Sequence, residues 1–136
     1  MLDNYSVLYN AAASLIPQGS KVVELGCGSG KFAADFLRGF KSYKGYDLVG
    51  QWDHIPIQTP GFGFAVADIT KLKFEEPGCT FVALEVFEHL FDETDLQLLL
   101  NLPRGSRVVF SVPSFDSADH KRFFPNEDGA IARYND

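Results

Sequence analysis

The segment VVELGCGSGKFA, Val22 to Ala33, spaces Gly26, Gly28 and Gly30 two residues apart, behind a β-branched run and ahead of an amphipathic stretch. Glycine in such a turn lets backbone approach a ligand that any side chain would hold away. A P-loop needs GxxxxGK[ST], which Gly26, Gly28, Gly30 and Lys31 do not supply. A dinucleotide fold needs GxGxxG, and Lys31 stands where its third glycine would be. Glu24, just upstream of Gly26, would repel a diphosphate and suits a cationic ammonium; the plain alternative is a surface carboxylate at a strand end. Cys27 reads as a small tolerated residue and not a nucleophile, since no basic partner is evident.

A second group lies in LEVFEHL, Leu84 to Leu90. Glu85, Glu88 and His89 stand at i, i+3 and i+4, so one helical turn puts them on a common face. His120 follows the last expected strand. Two carboxylates and two imidazoles could hold a divalent ion that polarises vicinal hydroxyls. A structural role for the same side chains is the preferred reading, with no metal assigned.

These groups need elements that bring them to one edge. KVVEL reads as a strand entering the glycine loop, and Phe32, Phe36 and Leu37 mark a helix from near Ser29 to Gly39. YKGYDL, FGFAVADI, FVALEV and RVVFSVP read as four further strands, with the nearly all-apolar FVALEV buried on both faces. Upstream, Tyr5, Leu8, Tyr9, Ala12 and Leu15 recur at helical spacing until Pro17 and Gly19 end the segment. Asp92 or Thr94 is placed to cap a helix through Leu96, Leu99 and Leu100 that stops before Pro103. LVGQWDHIPIQTP, with Pro56 and Pro60, reads as an irregular crossover in which Trp52 fills the core or covers a ligand and His54 is an exposed loop residue. Nothing after Pro113 reads as a strand, and Phe123 and Phe124 are expected to close the core or an acceptor pocket. The alternation predicts an α/β fold with a doubly wound, mostly parallel sheet of about five strands. Ligands bind such sheets outside the carboxyl ends of the strands, where the glycine loop lies.

VVELGCGSGKFA resembles the first motif of the Rossmann-like S-adenosylmethionine-dependent methyltransferases, and YKGYDL, VADIT and LEVFEHL follow in that family's order. The resemblance spans Val22 to Phe115. It implies that Gly26, Cys27 and Gly28 line the methionine moiety, with Glu24 before them, and that Asp47, followed by Leu48, takes the ribose hydroxyls. It further implies that Asp68 accepts from the adenine amino group, that Ile69 packs on the ring, and that Glu85 belongs to the cofactor set. The implied activity is methyl transfer from S-adenosylmethionine to an oxygen or nitrogen of a small molecule, with His89 as base and Glu88 as the second catalytic candidate. Displacement at a sulfonium asks the protein for alignment, exclusion of water and, for a protonated acceptor, a base. The E-x-x-E-H run with His120 is also similar to that of metal-dependent small-RNA 2′-O-methyltransferases and quinone-precursor O-methyltransferases. In that reading Glu85, Glu88, His89 and His120 hold a divalent metal. A cofactor-binding module without transfer activity is a further alternative, and a nucleotide-dependent oxidoreductase is opposed by the GxGxG spacing and Glu24. Family members commonly continue after the fifth strand into an antiparallel hairpin that is missing here. That leaves a truncated chain, a minimal member, or one whose exposed edge pairs with a second copy.

The totals agree with this frame. The 136 residues suit a single domain, with 46% hydrophobic and 22% charged residues as in soluble globular chains. A net charge of -6 disfavours a nucleic-acid partner, although Lys21, Lys31, Lys41 and Lys44 leave room for a segregated basic side. The two cysteines are far apart and form no CxxC, which fits a reduced, cytoplasmic compartment. No signal-peptide pattern opens the chain and no apolar run reaches the length of a membrane span, so no membrane partner is expected.

Overall fold

The computed structural model describes residues 4–50, 61–114 and 117–135. Five strands, β1 (Lys21–Leu25), β2 (Ser42–Asp47), β3 (Phe62–Val66), β4 (Thr80–Leu84) and β5 (Arg107–Ser111), form one sheet in the order β3-β2-β1-β4-β5. Every pair is parallel, so the sheet is wholly and not mostly so. The chain winds outward from β1 to β3, then returns to lay β4 on the other side of β1. The connections leaving β1 and β4 therefore diverge, and a cleft opens at their carboxyl ends.

Period-two alternation divides the apolar side chains of the strands between two cores. Val22, Tyr43, Val82 and Val109 pack with Phe32, Ala33 and Leu37 beneath helix α1 (Asn4–Ser14). Leu25, Phe81 and Ala83 pack on the opposite face with Phe87 and with Leu98 of helix α2 (Thr94–Leu100). β4 feeds both cores and is buried along its whole length, as its apolar run predicts.

The helices depart from expectation more than the strands do. The stretch after the glycine loop is a short π-helix, Phe32–Phe36, in which the Leu37 N–H donates to the Phe32 carbonyl at 3.1 Å. The wide turn lets Phe32, Ala33 and Leu37 enter one core before Gly39, at φ 69, turns the chain away. On α1 Tyr9 and Ala12 face inward, followed by Ile16 just past its end, while Tyr5 and, beyond the helix, Leu15 are exposed. On α2 neither Asp92 nor Thr94 supplies a cap, Leu100 is exposed, and the buried residues are Leu98 and Asp95. A third helix, α3 (Glu127–Tyr134), follows β5 where none was expected. The Asn126 side chain accepts from the Gly129 N–H at its start, and Glu127 and Asp128 sit favourably in its first turn. Phe124 packs on Tyr134 of this helix, whereas Phe123 is 40% exposed. Among the described residues no helix is long and apolar enough to cross a membrane. Trp52 and His54 lie outside the described residues.

Candidate active site

The glycine loop leaves β1 with Gly26, Gly28 and Gly30 at φ 77, 55 and 85, the left-handed region that glycine alone enters freely. The Gly26 and Cys27 N–H groups both donate to the Tyr46 carbonyl, at 2.8 and 3.0 Å, and tie the loop to β2. A Cβ on Gly26 would lie 2.6 Å from Val86 Cγ2, so this glycine lets the loop seat against the connection after β4. A Cβ on Gly28 would project into open space. Asp47, at the tip of β2, accepts from the Gly28 N–H and from the Leu48 N–H, each at 2.7 Å. Its carboxylate is thereby fixed beside the loop and keeps lone pairs for hydroxyl donors.

A cleft of about 300 Å³ lies between the tips of β1, β2 and β4. Of the residues expected to form a site, Gly26, Asp47, Leu48, Asp68, Ile69, Glu85 and His89 line it. Ala67, Thr70, Val86 and Leu90 complete the wall; each adjoins an expected residue in sequence, but apolar or small neighbours carry no chemical signal of their own. Asp68 shapes its own turn, with Oδ1 accepting from the Thr70 N–H at 2.9 Å and the Thr70 hydroxyl at 2.6 Å. Those bonds hold its carboxyl below the usual carboxylate range.

Glu24 and Cys27 lie beneath the loop and not in the cleft. The Glu24 side chain is 3% exposed and accepts from the Tyr43 hydroxyl at 2.6 Å. Burial pushes its pKa up to about 8, against the opposing effect of the Tyr43 bond, and burial also raises Tyr43. Near neutral pH this is a bond between two mostly uncharged groups, so the carboxylate expected to face an ammonium is a buried acid turned toward Tyr43. Gly45 makes this possible, since a Cβ there would come 2.7 Å from Tyr43 Oη and 3.0 Å from Cys27 Sγ. Gly45 and Tyr43 escaped the sequence reading, although a glycine inside a strand is a recognised sign of close approach.

The connection after β4 builds the opposite wall. Glu85 takes φ 56 and its N–H donates to Ser111 Oγ at 2.9 Å, turning the chain sharply out of the sheet. A single 3₁₀ turn, Phe87–His89, follows. Phe87 anchors it, fully buried between the rings of Phe110 and Tyr134 at 5.2 and 5.6 Å. That anchor sends Glu88 inward and leaves His89 exposed at the cleft. Among the described residues, both Glu88 carboxyl oxygens and Glu85 Oε2 are buried and receive no hydrogen bond from the surrounding side chains, and the two carboxyl groups face each other. Burial raises both acids; for Glu85 the neighbouring Glu88 adds to this and the pKa reaches about 7, with His120 and His89 opposing.

His89 Nδ1 lies 3.0 Å from the Asp119 carbonyl oxygen. A carbonyl can only accept, so Nδ1 carries a proton, and whenever the ring is neutral Nε2 presents the lone pair. The His120 ring stands edge-on to it, 5.2 Å between centroids. Donor atoms of Glu88, His89 and His120 all lie within 4.8 Å of one another. Glu85 is not one of the three residues whose donor atoms all meet within that distance, although its carboxyl adjoins that of Glu88, so three of the four residues expected from spacing form the close set.

Solved structures carry the same architecture. The chain matches N-methyltransferase NodS from Bradyrhizobium japonicum WM9, in complex with S-adenosyl-L-homocysteine, at TM-score 0.63 and 20% identity over 78% of this chain and 59% of that one. It matches the small RNA methyltransferase HEN1 at TM-score 0.71 and 14% identity, over 96% of this chain and 20% of that one. Phosphoethanolamine N-methyltransferase 2 of Haemonchus contortus, in complex with S-adenosyl-L-methionine, gives TM-score 0.63 at 14% identity, over 97% of this chain and 36% of that one. This is the Rossmann-like methyltransferase fold. The chain spans less than two thirds of the length of each of these neighbours. No family model matches the sequence, and no curated protein does. Within the methyltransferase fold, the cleft described above occupies the ligand-binding edge that the strand order creates.

Proposed function

We propose that the chain binds S-adenosylmethionine in this cleft and moves its methyl group to an oxygen or nitrogen of a small molecule. The observation that carries the reading is the convergence of the Gly26 turn, the fixed Asp47 carboxylate and the His89 ring on one cleft of ligand size. The residues suit the cofactor: the open space at Gly28 admits its methionine end, Asp47 accepts from its ribose hydroxyls, and Asp68 and Ile69 flank its adenine. When bound, the cofactor supplies a methyl group on a positively charged sulfonium. Val86 and Leu90 restrict water at the wall, and His89 Nε2 takes a proton from the acceptor while the Asp119 carbonyl holds the ring. Calorimetric titration of metal-stripped protein with S-adenosylhomocysteine tests the reading. One-to-one binding supports it, and absence of binding removes it. Tight binding with no transfer to any acceptor would instead mark a cofactor-binding module.

A second reading is favoured by the buried Glu85 and Glu88 carboxyl groups, which lack a donor among the other described residues, and by the close Glu88, His89 and His120 donors. A divalent ion held there would polarise vicinal hydroxyls such as those of a ribose, as in the 2′-O-methyltransferases that the E-x-x-E-H run resembles. The likeness to HEN1, a small RNA methyltransferase, agrees with this, while the net charge of -6 opposes an extended RNA contact. Titration with Mn²⁺ separates the readings: stoichiometric binding lost in His120→Ala supports the metal, and no binding leaves His89 as a base alone.

A further inference from the structure

The donor set is assembled from two pieces of chain that meet far from each other in sequence. Glu88 and His89 ride on the 3₁₀ turn, whereas His120 arrives on the segment after β5. The segment lies along the turn through two bonds, the Lys121 N–H donating to the Glu88 carbonyl at 2.6 Å and the His89 ring side chain to the Asp119 carbonyl.

One side chain grips both pieces. Arg122, two residues past His120, donates from Nη1 to the Phe87 carbonyl and from Nη2 to the Leu90 and Asp92 carbonyls at 2.8 and 2.6 Å. The Phe87 carbonyl also accepts from the Leu90 N–H and the Asp92 carbonyl from Arg133 Nη2, so Arg122 ties the turn to the backbone that enters α2, where Asp92 is held at φ 48. The guanidinium is itself fixed from behind, 3.5 Å from Asp95 Oδ2, with its side chain 13% exposed. Asp95 is fully buried and receives Arg133 Nε and Nη2 at 2.9 and 2.7 Å and the Tyr134 hydroxyl at 2.6 Å. Only a planar fork of donors spans three carbonyls and a carboxylate at once.

We propose that Arg122 is the positioning residue that assembles Glu88, His89 and His120 into one donor set, with Asp95 as its anchor. This rests on the metal-assisted reading above, and it assigns no contact between Arg122 and substrate. Arg122 orients the backbone that carries the donor side chains rather than those side chains directly; loss of a group that orients ligands typically lowers metal affinity by about 10- to 100-fold.

The test compares wild type, Arg122→Lys and His120→Ala by titration with Mn²⁺ and separately with S-adenosylhomocysteine. Arg122→Lys keeps the charge beside Asp95 and loses the fork, so the fold survives where Arg122→Ala could melt it. The expected result is an Mn²⁺ affinity reduced about 10- to 100-fold with native circular dichroism and unaltered S-adenosylhomocysteine affinity. Wild-type Mn²⁺ affinity in Arg122→Lys, or parallel loss of both ligands, overturns the proposal. If the wild-type protein binds no Mn²⁺, the metal reading falls, and histidine NMR decides the positioning role by itself. His120→Ala should shift the His89 ring signals in the wild-type background, given the 5.2 Å ring contact, and should leave them unmoved in the Arg122→Lys background. An equal shift in both backgrounds overturns the proposal.

Discussion

Glu24 makes the stability of this domain fall as pH rises, and Glu24→Gln should remove that dependence. The folded protein holds the Glu24 proton up to about pH 8 because the carboxyl is buried, whereas an exposed carboxyl releases it near 4.5. Between those values the folded state binds more protons than the unfolded state, so unfolding becomes easier with each increment of pH. The contribution is fully present below 4.5 and is lost as pH passes through about 8. At about 1.4 kcal/mol per pH unit, the whole window is worth roughly 5 kcal/mol, and the rise from about pH 5 to about pH 7 roughly 3 kcal/mol. Glutamine keeps an oxygen to accept from Tyr43 and has no proton to lose. Urea unfolding of wild type and Glu24→Gln, followed by circular dichroism across this range, gives a difference curve in which Glu85 and other titrating groups cancel. It should slope against wild type throughout the window, and parallel curves would refute the reasoning. Tyr43→Phe removes the bond that opposes the burial effect, so it should extend the slope to higher pH. Because wild-type Glu24 is mostly uncharged near neutrality, Glu24→Gln should also keep its affinity for S-adenosylhomocysteine. A large loss would mean that an ionised Glu24 meets the ammonium after all.

Gly28→Val should abolish S-adenosylhomocysteine binding in a domain that still folds, since valine fills the open space and strains φ 55 by roughly 1–2 kcal/mol; calorimetry beside a melting curve checks both halves. His89→Ala should lower the rate of methyl transfer far more than it lowers cofactor affinity. Equal losses, with a lower melting temperature, would assign His89 a structural role. Asp95→Ala removes a fully buried carboxylate from two partly buried guanidinium groups and should destabilise the fold by about 3–5 kcal/mol in urea titration. The Asp95 carboxyl illustrates the strength of those contacts: burial would raise it, yet the bonds from Arg133 and Tyr134 hold it below the usual carboxylate range.

What could be read from the residues, and what could not, divides along physical lines. Strands announced themselves because a parallel sheet covered on both faces demands runs such as that of β4, and the glycine spacing marked where β1 must turn. The cleft was legible for the same reason: Gly26, Asp47, Asp68 and His89 each stand at the carboxyl end of a strand or just beyond it. Tertiary geometry hid the rest. A period of i, i+3 and i+4 groups Glu85 with Glu88 and His89 on an α-helix; the 3₁₀ turn entered at φ 56 keeps Glu85 beside Glu88 but buries Glu88 and leaves His89 exposed at the cleft. Helix α2 misled in a second way. Leu96, Leu99 and Leu100 look like its apolar stripe, yet the fully buried position is Asp95, whose charge is matched by Arg122 and Arg133 from a segment some thirty residues downstream. A pattern of apolar residues cannot reveal a core position occupied by an ion pair, because each partner reads as surface when taken alone. That same pairing explains why the segment after Pro113, featureless as a strand or helix stripe, is nonetheless fixed against the site. It is held by Arg122, Arg133 and Tyr134 at one buried carboxylate, and so it carries His120 to Glu88 and His89. A buried charge is expensive unless fully paired, so the segment and α2 stabilise each other and neither reaches this geometry alone. The order of the C-terminal segment and the order of the candidate donor set are thus one property of the fold, set by Asp95.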